Sequence, residues 1–513
     1  MNPRVLILEP GNQLLAIDNA RPNGALGPAF LVAALRAQGI EADYFDATVG
    51  RSIADLQETF YKRVEQENGA IRYGMSPDDL AEVLAHYDVI ATSSIFTAQT
   101  RMHFEVAQVA RKTASARGRR ILVVAGGVNA RAMRRQFLGN GFDIIALGDG
   151  EQTLVDIVQA FSQPVPDFSE IAGIAYLQDG RLIEQRAKPG SPRNLDHLPF
   201  PAWEAFPLDV YEHLGAPQAR VLMAGGTKFA GIQTSRGCQD TCTFCHISVE
   251  KQETDLLGRI GFLRDFSPAR VGAEVDRAYA MGIRRLYFED DNLFYNKRRL
   301  ETLAPYLKRE GLEYSNVNGA NLRFLFRKSG NRYEVDTEFI EVLSDFGLRE
   351  LTMPFETHSQ EMMDKYASGK FQRDDMNPFA LVHALKDAGI AIAGNFMIGF
   401  RDEEWDSILR TKEYARQVVE AGVDAVAFMI PVPYPGTVDF QVAMQDKAAQ
   451  EDFARDPLKY TDRMHWRAKP LFPTRVAGER LAAAVHDFWH EINDTTFTDT
   501  KSAANVLRRD VPR

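Results

Sequence analysis

The stretch TSRGCQDTCTFCHIS, residues 234–248, holds all three cysteines of the 513-residue chain, Cys238, Cys242 and Cys245. A C-x3-C-x2-C spacing presents three thiolates on one short loop, which suits three irons of a [4Fe–4S] cube and leaves the fourth iron open. Structural zinc takes four ligands, and the nearby His246 directly follows Cys245 and cannot easily complete a tetrahedron with it. A disulfide would leave one cysteine over. The stretch therefore predicts an iron–sulfur cluster with an open coordination site.

The aromatic residue Phe244 completes the pattern C-x3-C-x-aromatic-C, and with it the chain resembles the radical S-adenosylmethionine (SAM) enzymes. The resemblance implies that the open iron binds the amino and carboxylate groups of SAM and that Phe244 contacts SAM. It also implies that an electron from the cluster cleaves SAM into methionine and a 5′-deoxyadenosyl radical. An electron donor of the flavodoxin or ferredoxin type would supply that electron.

Composition and charge narrow the class of protein. With 45% hydrophobic and 25% charged residues, the chain is an ordinary globular sequence, long enough for several domains. Its net charge of −10 argues against an extended nucleic-acid surface and favours a small-molecule substrate, with a peptide substrate open as an alternative. No apolar run approaches the roughly 20 residues that cross a bilayer. In the N-terminal stretch MNPRVLILEPGNQ, Pro10 and Gly11 end the apolar run before the core of a signal peptide could form. We therefore expect a cytoplasmic protein without a membrane span.

The first 160 residues alternate between helices and short apolar strands, expected at residues 4–10, 42–47, 88–96, 119–127 and 142–150. Strands this apolar are buried on both faces, which predicts an α/β, Rossmann-like parallel sheet with its ligand beyond the carboxyl ends of the strands. Those ends carry glycines and small polar residues, namely Ser93, Ser94, Gly126, Gly127, Gly148, Asp149, Gly150 and Glu151. Any one of these glycines could merely form a tight turn, but their joint placement favours a ligand.

This layout resembles the cobalamin-binding domain of B12-dependent radical SAM enzymes, which implies that the residues at these strand ends bind cobalamin. Many such domains carry D-x-H-x-x-G, whose histidine binds cobalt from below. Here the corresponding loop, AIDNARPNGALG (16–27), has no histidine between Asp18 and Gly27. The resemblance then implies a cobalt whose lower face has no histidine ligand, and a domain that has lost cobalamin stays open as an alternative.

The rest of the chain divides by composition. Residues 161–225 are expected to form a linker with a small hairpin, whose turn is Asp179–Gly180. Residues 226–440 alternate again, with six apolar strand candidates, and resemble the partial (β/α)6 TIM-type barrel of the radical SAM family. Residues 441–513 are charged and helix-prone and are expected to form a helical C-terminal cap. The predicted domains are thus 1–160, 161–225, 226–440 and 441–513.

Three barrel strand ends match places where the radical SAM family binds SAM. Glu289, Asp290 and Asp291 follow the second barrel strand, where the resemblance implies carboxylates that accept hydrogen bonds from the methionine amine. Glu356 in MPFETHSQ matches an acid near the ribose, although Pro354 and Thr357 replace the usual Gly and Ser. The segment GNFMIGFRDE matches a motif near the adenine, with its glycines at Gly394 and Gly399. No further side chain is assigned a catalytic role.

A radical SAM barrel behind a cobalamin domain resembles the class B radical SAM methyltransferases. The resemblance implies methylation of an unactivated carbon of a small molecule by methylcobalamin, after the deoxyadenosyl radical removes a hydrogen atom. A cobalamin-dependent enzyme that cyclises, oxidises or rearranges its substrate carries the same motifs and stays open as an alternative. A sensor without catalysis would not need an open-site cluster inside such a barrel. Methylthiotransferases, and RNA methylases that methylate their own thiol, need further cysteines, which the chain lacks.

Overall fold

The computed structural model describes residues 3–15, 20–22, 24–188, 193–215, 227–316, 318–330, 332–373 and 375–497. Asp18, at the start of the loop without a histidine, lies outside these residues. The chain divides into two compact units, the first made of residues 1–214, 246–262 and 434–464, and the second of residues 215–245, 263–433 and 465–513. Each unit therefore gathers segments that lie far apart in the sequence.

The first part of the chain forms short strands and the helices that cover them. Its strands are β1 (Val5–Glu9), β2 (Asn12–Leu14), β3 (Ala42–Asp46), β4 (Val64–Glu65), β5 (Ile71–Tyr73), β6 (Val89–Ser93), β7 (Leu122–Gly126), β8 (Ile144–Ala146), β9 (Ile174–Gln178) and β10 (Arg181–Glu184). Its helices are α1 (Leu26–Ala37), α2 (Pro77–Leu84), α3 (Thr100–Ala116), α4 (Val128–Ala132), α5 (Arg134–Gly139), α6 (Gly150–Phe161) and α7 (Leu208–Leu214).

The main sheet of the first unit has the strand order β10-β9-β8-β7-β6-β1-β3. Strands β3, β1, β6, β7 and β8 run parallel, which confirms the predicted Rossmann-like sheet. Val5, Leu6 and Ile7 are fully buried, as expected for a strand covered on both faces. The chain runs from β1 to β3 on one side and continues with β6 on the other, so β1 and β6 flank the point where the strand order reverses.

The predicted hairpin extends the main sheet and is more than part of a linker. Asp179 and Gly180 both have positive φ, 50° and 74°, which is the geometry of a two-residue turn matched to the twist of a hairpin. Strand β9 then pairs antiparallel with both β10 and β8. The backbone of residues 174–184 is thereby hydrogen-bonded into the same sheet as the strands of the predicted domain 1–160.

The second unit is built on parallel strands from the middle of the chain. The strands of this part are β11 (Phe229–Ile232), β12 (Ser235–Arg236), β13 (Arg264–Asp265), β14 (Arg285–Phe288), β15 (Glu313–Asn316), β16 (Phe326–Ser329), β17 (Arg332–Val335), β18 (Leu348–Glu356), β19 (Ala391–Met397) and β20 (Ala425–Met429). The helices are α8 (His246–Glu250), α9 (Thr254–Leu257), α10 (Pro268–Ala280), α11 (Lys297–Leu307), α12 (Thr337–Asp345), α13 (Gln360–Tyr366), α14 (Pro378–Asp387) and α15 (Trp405–Glu420); α8 and α9 belong to the first unit.

Six of these strands form a parallel sheet in chain order, β11-β14-β15-β18-β19-β20. This order is that of a partial (β/α)6 barrel, and all six predicted strands are present. The ends β11 and β20 are edges of the sheet. In such a barrel the functional groups lie at the carboxyl ends of the strands.

The last part of the chain is helical, as predicted for the cap, but it is shared between the two units. Its helices are α16 (Val438–Ala443), α17 (Lys447–Arg455), α18 (Leu458–Thr461) and α19 (Gly478–Phe497). Helices α16 to α18 belong to the first unit, whereas α19 belongs to the second. Among the described residues, no helix combines the length and apolar character needed to span a membrane.

Candidate active site

The cysteine loop follows the first barrel strand and is fixed by main-chain hydrogen bonds. Gly237, with φ of 83°, donates its N–H to Asp291 Oδ2 over 2.7 Å. Within the loop, Cys245 N–H donates to the Cys242 carbonyl over 3.1 Å, and Thr243 N–H donates to the Tyr366 carbonyl over 3.0 Å. The backbone of the loop is therefore positioned at both ends by neighbouring barrel segments.

All three cysteines are free thiols, which excludes the disulfide alternative for this structure. Among the described residues, no three His, Cys, Asp or Glu side chains converge on a single metal ion. A [4Fe–4S] cube binds its thiolates on separate irons, so its ligands do not need to converge on one point. The cluster assignment therefore rests on the C-x3-C-x2-C spacing of the three thiols.

Burial raises the pKa of two of the three thiols, and hydrogen-bond donors oppose that effect at Cys238. Burial raises the pKa of Cys242 to about 11 and also raises the pKa of Cys238. The Cys238 Sγ accepts from the Asp240 N–H at 3.4 Å and from Asn292 Nδ2 at 3.7 Å. Such donors around a ligand sulfur stabilise its thiolate and tune a bound metal centre.

The three acids after β14 have different surroundings. Asp290 is fully buried, and its carboxylate accepts from Thr234 N–H (3.0 Å), Thr234 Oγ1 (2.6 Å) and Ser235 Oγ (2.6 Å). Its oxygens hold the strand that leads into the cysteine loop, and Asp291 holds Gly237. Glu289 is half-buried and donates its N–H to the Ile232 carbonyl over 2.8 Å. The predicted hydrogen bond from the methionine amine of SAM therefore suits Glu289 better than Asp290, whose oxygens already accept from the protein.

Glu356 lies at the end of β18 in the left-handed region, with φ of 57°, and its side chain is buried. Lys370 donates from Nζ to Glu356 Oε1 over 2.9 Å, and its ammonium lies 5.6 Å from the centre of the Phe244 ring. Burial alone would lower the pKa of Lys370, but the nearby Glu356 and Cys242 thiol raise it by more than burial lowers it. The net shift of the pKa is upward, so the ammonium stays charged. Residues in sparsely populated backbone regions persist only where the surroundings hold them, and they concentrate at functional sites.

Lys370 is a site residue that the sequence reasoning missed. It follows a turn in which Ser368 and Gly369 both have positive φ, 61° and 57°. No spacing rule connects this turn with the cysteine motif, which lies more than 120 residues earlier. A lysine directly after a Ser–Gly turn would have been the only signal.

The aromatic residue of the cysteine motif packs into an apolar cluster. The Phe244 ring lies against buried side chains from three barrel segments, namely Met362, Tyr366, Met397 and Phe400. Tyr366 and Phe400 stack with ring centres 4.8 Å apart. This packing orients the middle of the cysteine loop, while the contact of Phe244 with SAM stays a prediction.

The two predicted glycines of GNFMIGFRDE lie close to neighbouring side chains. A Cβ on Gly399 would lie 2.7 Å from Leu481 Cδ1, and its φ of 82° also disfavours other residues. A Cβ on Gly394 would lie 3.2 Å from Phe355 Cε2. Gly399 N–H donates to the buried Glu403 Oε2 over 2.8 Å, and burial raises the pKa of Glu403. Glu403 thus fixes the turn that follows β19.

At the carboxyl edge of the first unit's sheet, the structure brings Ser94 together with Gly126 and Gly127. Ser94 N–H donates to the Gly126 carbonyl over 2.8 Å, and a Cβ on Gly127 would lie 2.4 Å from the Ser94 carbonyl oxygen. Asn129 donates from Nδ2 to Ser94 Oγ over 2.9 Å, while its buried Oδ1 has no hydrogen-bond partner among the described residues. The residues that follow Ser94 in the chain, Ile95 and Phe96, are 47% and 56% exposed.

This edge fits a large, partly apolar ligand such as cobalamin. Its features are two consecutive glycines, the buried Asn129 Oδ1, which has no hydrogen-bond partner among the described residues, and the two exposed apolar side chains. They lie beside the strand reversal, where such sheets bind ligands. Ser93 is the last residue of β6 and directly precedes Ser94. The remaining predicted residues lie one strand further, where Asp149 precedes α6, Gly150 and Glu151 open it, and Gly148 packs near Ile260.

Two family models match separate parts of the chain. Residues 23–158 match the B12 binding domain, and residues 232–430 match the radical SAM superfamily. These ranges contain four of the five parallel strands of the first unit's sheet, all but β1, and five of the six strands of the second unit's sheet, with only the last residue of β11. The two matches thus fall on the two sheets whose strand ends carry the candidate site residues.

Similar proteins include methyltransferases and a cyclase. The cytidylyl-2-hydroxyethylphosphonate methyltransferase of Streptomyces wedmorensis is 25% identical over 97% of this chain and 92% of its own length. The anaerobic magnesium-protoporphyrin IX monomethyl ester cyclase of Cereibacter sphaeroides is 24% identical over 74% of this chain and 57% of its own length.

A solved structure shares the fold. The radical S-adenosylmethionine methyltransferase TsrM from Kitasatospora setae matches with a TM-score of 0.58 and 16% identity, over 86% of this chain and 76% of that one. Because the identity is low, this likeness concerns the fold. The two domain matches show that the chain combines a B12 binding domain with a radical SAM domain, the combination whose cofactors are a [4Fe–4S] cluster, SAM and cobalamin.

Proposed function

We propose that this enzyme methylates an unactivated carbon of a small-molecule substrate. The observation that carries the proposal is one open-site cysteine loop in a chain that also has a cobalamin domain and no further cysteine. Its similarity to a methyltransferase over 97% of the chain supports it. When bound, the cluster and SAM supply a 5′-deoxyadenosyl radical that removes a hydrogen atom, and methylcobalamin supplies the methyl group.

In this proposal Cys238, Cys242 and Cys245 hold three irons and leave the fourth open for SAM. Asp290 and Asp291 act as positioning residues, because their carboxylates accept hydrogen bonds from the segment that leads into the loop. Asp240 N–H and Asn292 donate to the Cys238 sulfur and favour its thiolate form. The protein thus orients the loop and supplies hydrogen-bond donors to one of its three sulfurs.

The SAM side of the site is assigned to residues around the barrel strand ends. Glu289 would accept from the methionine amine, and Glu356 from the ribose hydroxyls. Lys370, held by Glu356 beside the cysteine loop, would offset the negative charge of the thiolates and of the SAM carboxylate. Phe244, Gly394 and Gly399 would shape the apolar side of the SAM site.

The cobalamin side is assigned to the carboxyl edge of the first unit's sheet. The predicted contacts there are Ser93, Ser94, Gly126, Gly127, Gly148, Asp149, Gly150 and Glu151. We add Asn129, whose buried Oδ1 is available as an acceptor, and the exposed Ile95 and Phe96, which would face an apolar part of the ligand. A buried acceptor gains most from a donor on the ligand, because no water satisfies it.

The setting of the enzyme completes the proposal. A small iron–sulfur or flavin protein of the ferredoxin or flavodoxin type would supply the electron. A reduced cytoplasm would suit three free thiols that must stay reduced. A net charge of −10 supports a small-molecule substrate, with no nucleic acid involved.

Product mass tests the reaction. The purified, reconstituted enzyme is incubated without oxygen with candidate substrates and SAM that carries a trideuterated methyl group. A product that retains the labelled methyl supports methylation. A product that has lost two hydrogens or gained oxygen contradicts it and supports the alternative of an oxidising or cyclising enzyme, which the similarity to the cyclase keeps in view.

The cluster assignment has a separate test. Cys242→Ala should abolish both the visible absorption of the reconstituted cluster and the formation of 5′-deoxyadenosine from SAM under reduction. The matched control is Thr241→Ala, since Thr241 lies beside Cys242 but is exposed and hydrogen-bonds to Ser368. Survival of the cluster absorption in the Cys242 variant would contradict the assignment.

A further inference from the structure

The segment 434–464, called the strap below, belongs to the first unit although it follows the last strand of the barrel. It carries helices α16, α17 and α18. At one end, Gly436 packs so closely on α4 that a Cβ would lie 3.1 Å from Ala132 Cβ. At the other end, Asp462 is bound by Arg101 and Gln13. The strap is thus attached to the N-terminal sheet at two places.

Both attachments lie at the carboxyl edge of the sheet. Gln13 follows β1, Arg101 follows β6, and Ala132 follows β7, and these three strands are neighbours at the centre of the sheet. Asp462 therefore bridges β2 and the first turn of α3, the elements that follow β1 and β6 on either side of the strand reversal. Ligands of open parallel sheets bind in the crevice at this place.

Asp462 is held as a buried, charge-paired carboxylate. Its side chain is only 5% exposed, and Arg101 donates from Nε to its Oδ2 over 3.0 Å and also from Nη2. Gln13 Nε2 donates to its Oδ1 over 3.1 Å. A buried carboxylate that loses such partners is strongly unfavourable, so these contacts fasten the strap.

The loops that receive Asp462 are themselves connected. Gln13 N–H donates to Gln99 Oε1 over 2.9 Å, and Gln99 Nε2 donates back to the Gln13 carbonyl over 2.8 Å. Gln66 Nε2 donates to Gln13 Oε1 over 3.0 Å. The strap therefore binds to an ordered network and not to a single mobile side chain.

The strap also has a small core of its own. Phe440 packs on Phe453 with ring centres 5.2 Å apart, and Phe453 packs on Tyr460 at 5.6 Å. Tyr460 donates its hydroxyl to Asp452 over 2.8 Å. These contacts link helices α16, α17 and α18 to one another.

We propose that the strap retains cobalamin at the carboxyl edge of the first unit, with Asp462 as the residue that fastens it. The inference rests on the cobalamin site assigned above but not on the reaction that follows. A ligand at this edge leaves only after the contacts of Asp462 with Arg101 and Gln13 have broken. The strap thus sets the rate of cobalamin release.

The test is the release rate of cobalamin from the full-length reconstituted enzyme. The protein is loaded with hydroxocobalamin and diluted into a cobalamin-scavenging protein in excess, and the loss of the bound spectrum is followed over time. Asp462→Asn keeps the shape of the side chain but removes its charge. We expect release to accelerate by about tenfold or more, since hydrogen bonds to a charged group are among the stronger ones.

A control ion pair lies at the opposite end of β6. Asp88 directly precedes β6 and pairs with Arg119 over 2.8 Å; its side chain is 39% exposed, so Asp88→Asn removes a more exposed ion pair away from the strap. This variant should release cobalamin at the parent rate. Arg101→Gln, which changes a partly exposed residue, provides a second route to the same effect if the Asp462 variant folds poorly. The double variant should release no faster than the quicker single variant, because both changes break one contact.

The outcomes separate the strap from the proposed reaction. Uptake of cobalamin with release within twofold of the parent in both single variants overturns the strap and leaves the methyl transfer untouched. Failure of the parent to take up cobalamin overturns the strap together with the cobalamin site. Faster release in both variants supports the strap whether or not a methylated product is found.

Discussion

Lys370 Nζ lies 2.9 Å from Glu356 Oε1, at the end of a barrel strand where Glu356 has a positive φ. Glu356 is buried, the Lys370 side chain is 18% exposed, and the pair lies beside the loop that carries the three cysteines. A carboxylate in an unfavourable backbone conformation and a buried lysine are each unstable alone. Their pairing stabilises both and brings one positive charge to a site where thiolates and SAM bring negative charge.

Lys370→Met should therefore destabilise the protein and weaken SAM binding together. It leaves Glu356 buried without its cation, which costs about 3–5 kcal/mol when one partner of a buried pair is removed. Thermal unfolding and the anaerobic SAM dissociation constant measure the two effects. Lys370→Arg, which keeps the charge, is the control and should recover most of the stability. An unchanged dissociation constant in the Met variant would show that the charge does not reach SAM.

Asp290→Asn should reduce the amount of cluster that the protein holds. The Asn side chain replaces one accepting oxygen by an NH2 group, which would face the Thr234 N–H or the hydroxyls that now donate to Asp290. Iron and sulfide content after reconstitution is the measurement. Glu289→Gln is the matched control, since Glu289 is half-buried at the adjacent position. Equal cluster content in the two variants would contradict the positioning role of Asp290.

Gly127→Ala and Gly126→Ala form a matched pair at the cobalamin edge. A methyl group on Gly127 would lie 2.4 Å from the Ser94 carbonyl oxygen, and the φ of 86° disfavours any side chain. On Gly126 it would lie 3.6 Å from Ala146 Cβ, an ordinary contact. We expect the Gly127 variant to lose at least about tenfold in cobalamin affinity, measured by absorbance titration, and the Gly126 variant to lose little. Similar affinities would mean that the Ser94 loop does not contact cobalamin.

Glu274 should make the protein less stable as the pH rises through the neutral range. Burial raises the pKa of Glu274 to about 7 from its ordinary value of 4.5, although Arg270 opposes the shift. A raised carboxyl pKa in the folded state favours folding at low pH, and this contribution is lost as the pH rises from about 4.5 through about 7. The shift corresponds to about 3 kcal/mol.

Comparison of the parent with Glu274→Gln isolates this effect. The difference in unfolding free energy between the two proteins should change by that amount between pH 4.5 and pH 8, in the direction that favours the variant at high pH. Denaturant unfolding of the cluster-free proteins at several pH values measures it. A difference that stays constant with pH would show that Glu274 does not titrate in this range.

Asn493 should prove essential for the stability of the barrel edge. Its Oδ1 accepts from the Val426 N–H over 2.9 Å, and its Nδ2 donates to the Val426 carbonyl over 3.0 Å, so one side chain pairs with β20 as a neighbouring strand would. Asn493→Ala should lower stability by about 2–4 kcal/mol, because two buried backbone groups lose their partners. Thermal unfolding measures the loss and light scattering the aggregation expected of an open edge strand. His490→Ala, one turn away on an exposed face, is the control.

The parallel sheets could be predicted from the sequence because their strands are short apolar runs between helices. The hairpin of residues 174–184 was recognised by Asp179–Gly180, but its pairing with β8 was not, since pairing depends on a strand far from the turn. The cap was recognised as helical, yet amphipathic helices do not reveal which neighbour they cover. The division of residues 434–497 between two units could therefore not be predicted.

The candidate site shows the same limit. The cysteine spacing is local and predicts its own loop. At the end of β14, three consecutive acids look alike in sequence, and only the packing distinguishes Asp290, which is fully buried, from Glu289, which is half-buried. Lys370 and Asp462 could not be found, because each acts through a partner that is distant in the chain.

The return of residues 434–464 to the first unit also has a consequence for synthesis. When the ribosome has made the first 214 residues, the parallel sheet can form, but Arg101 and Gln13 still lack the carboxylate that binds them. At about 5–20 residues per second, the missing segment emerges roughly 10–50 seconds later. The unit whose translation begins first is therefore completed only after the strands of the second unit have been made, and during that interval its cofactor edge is open to cobalamin.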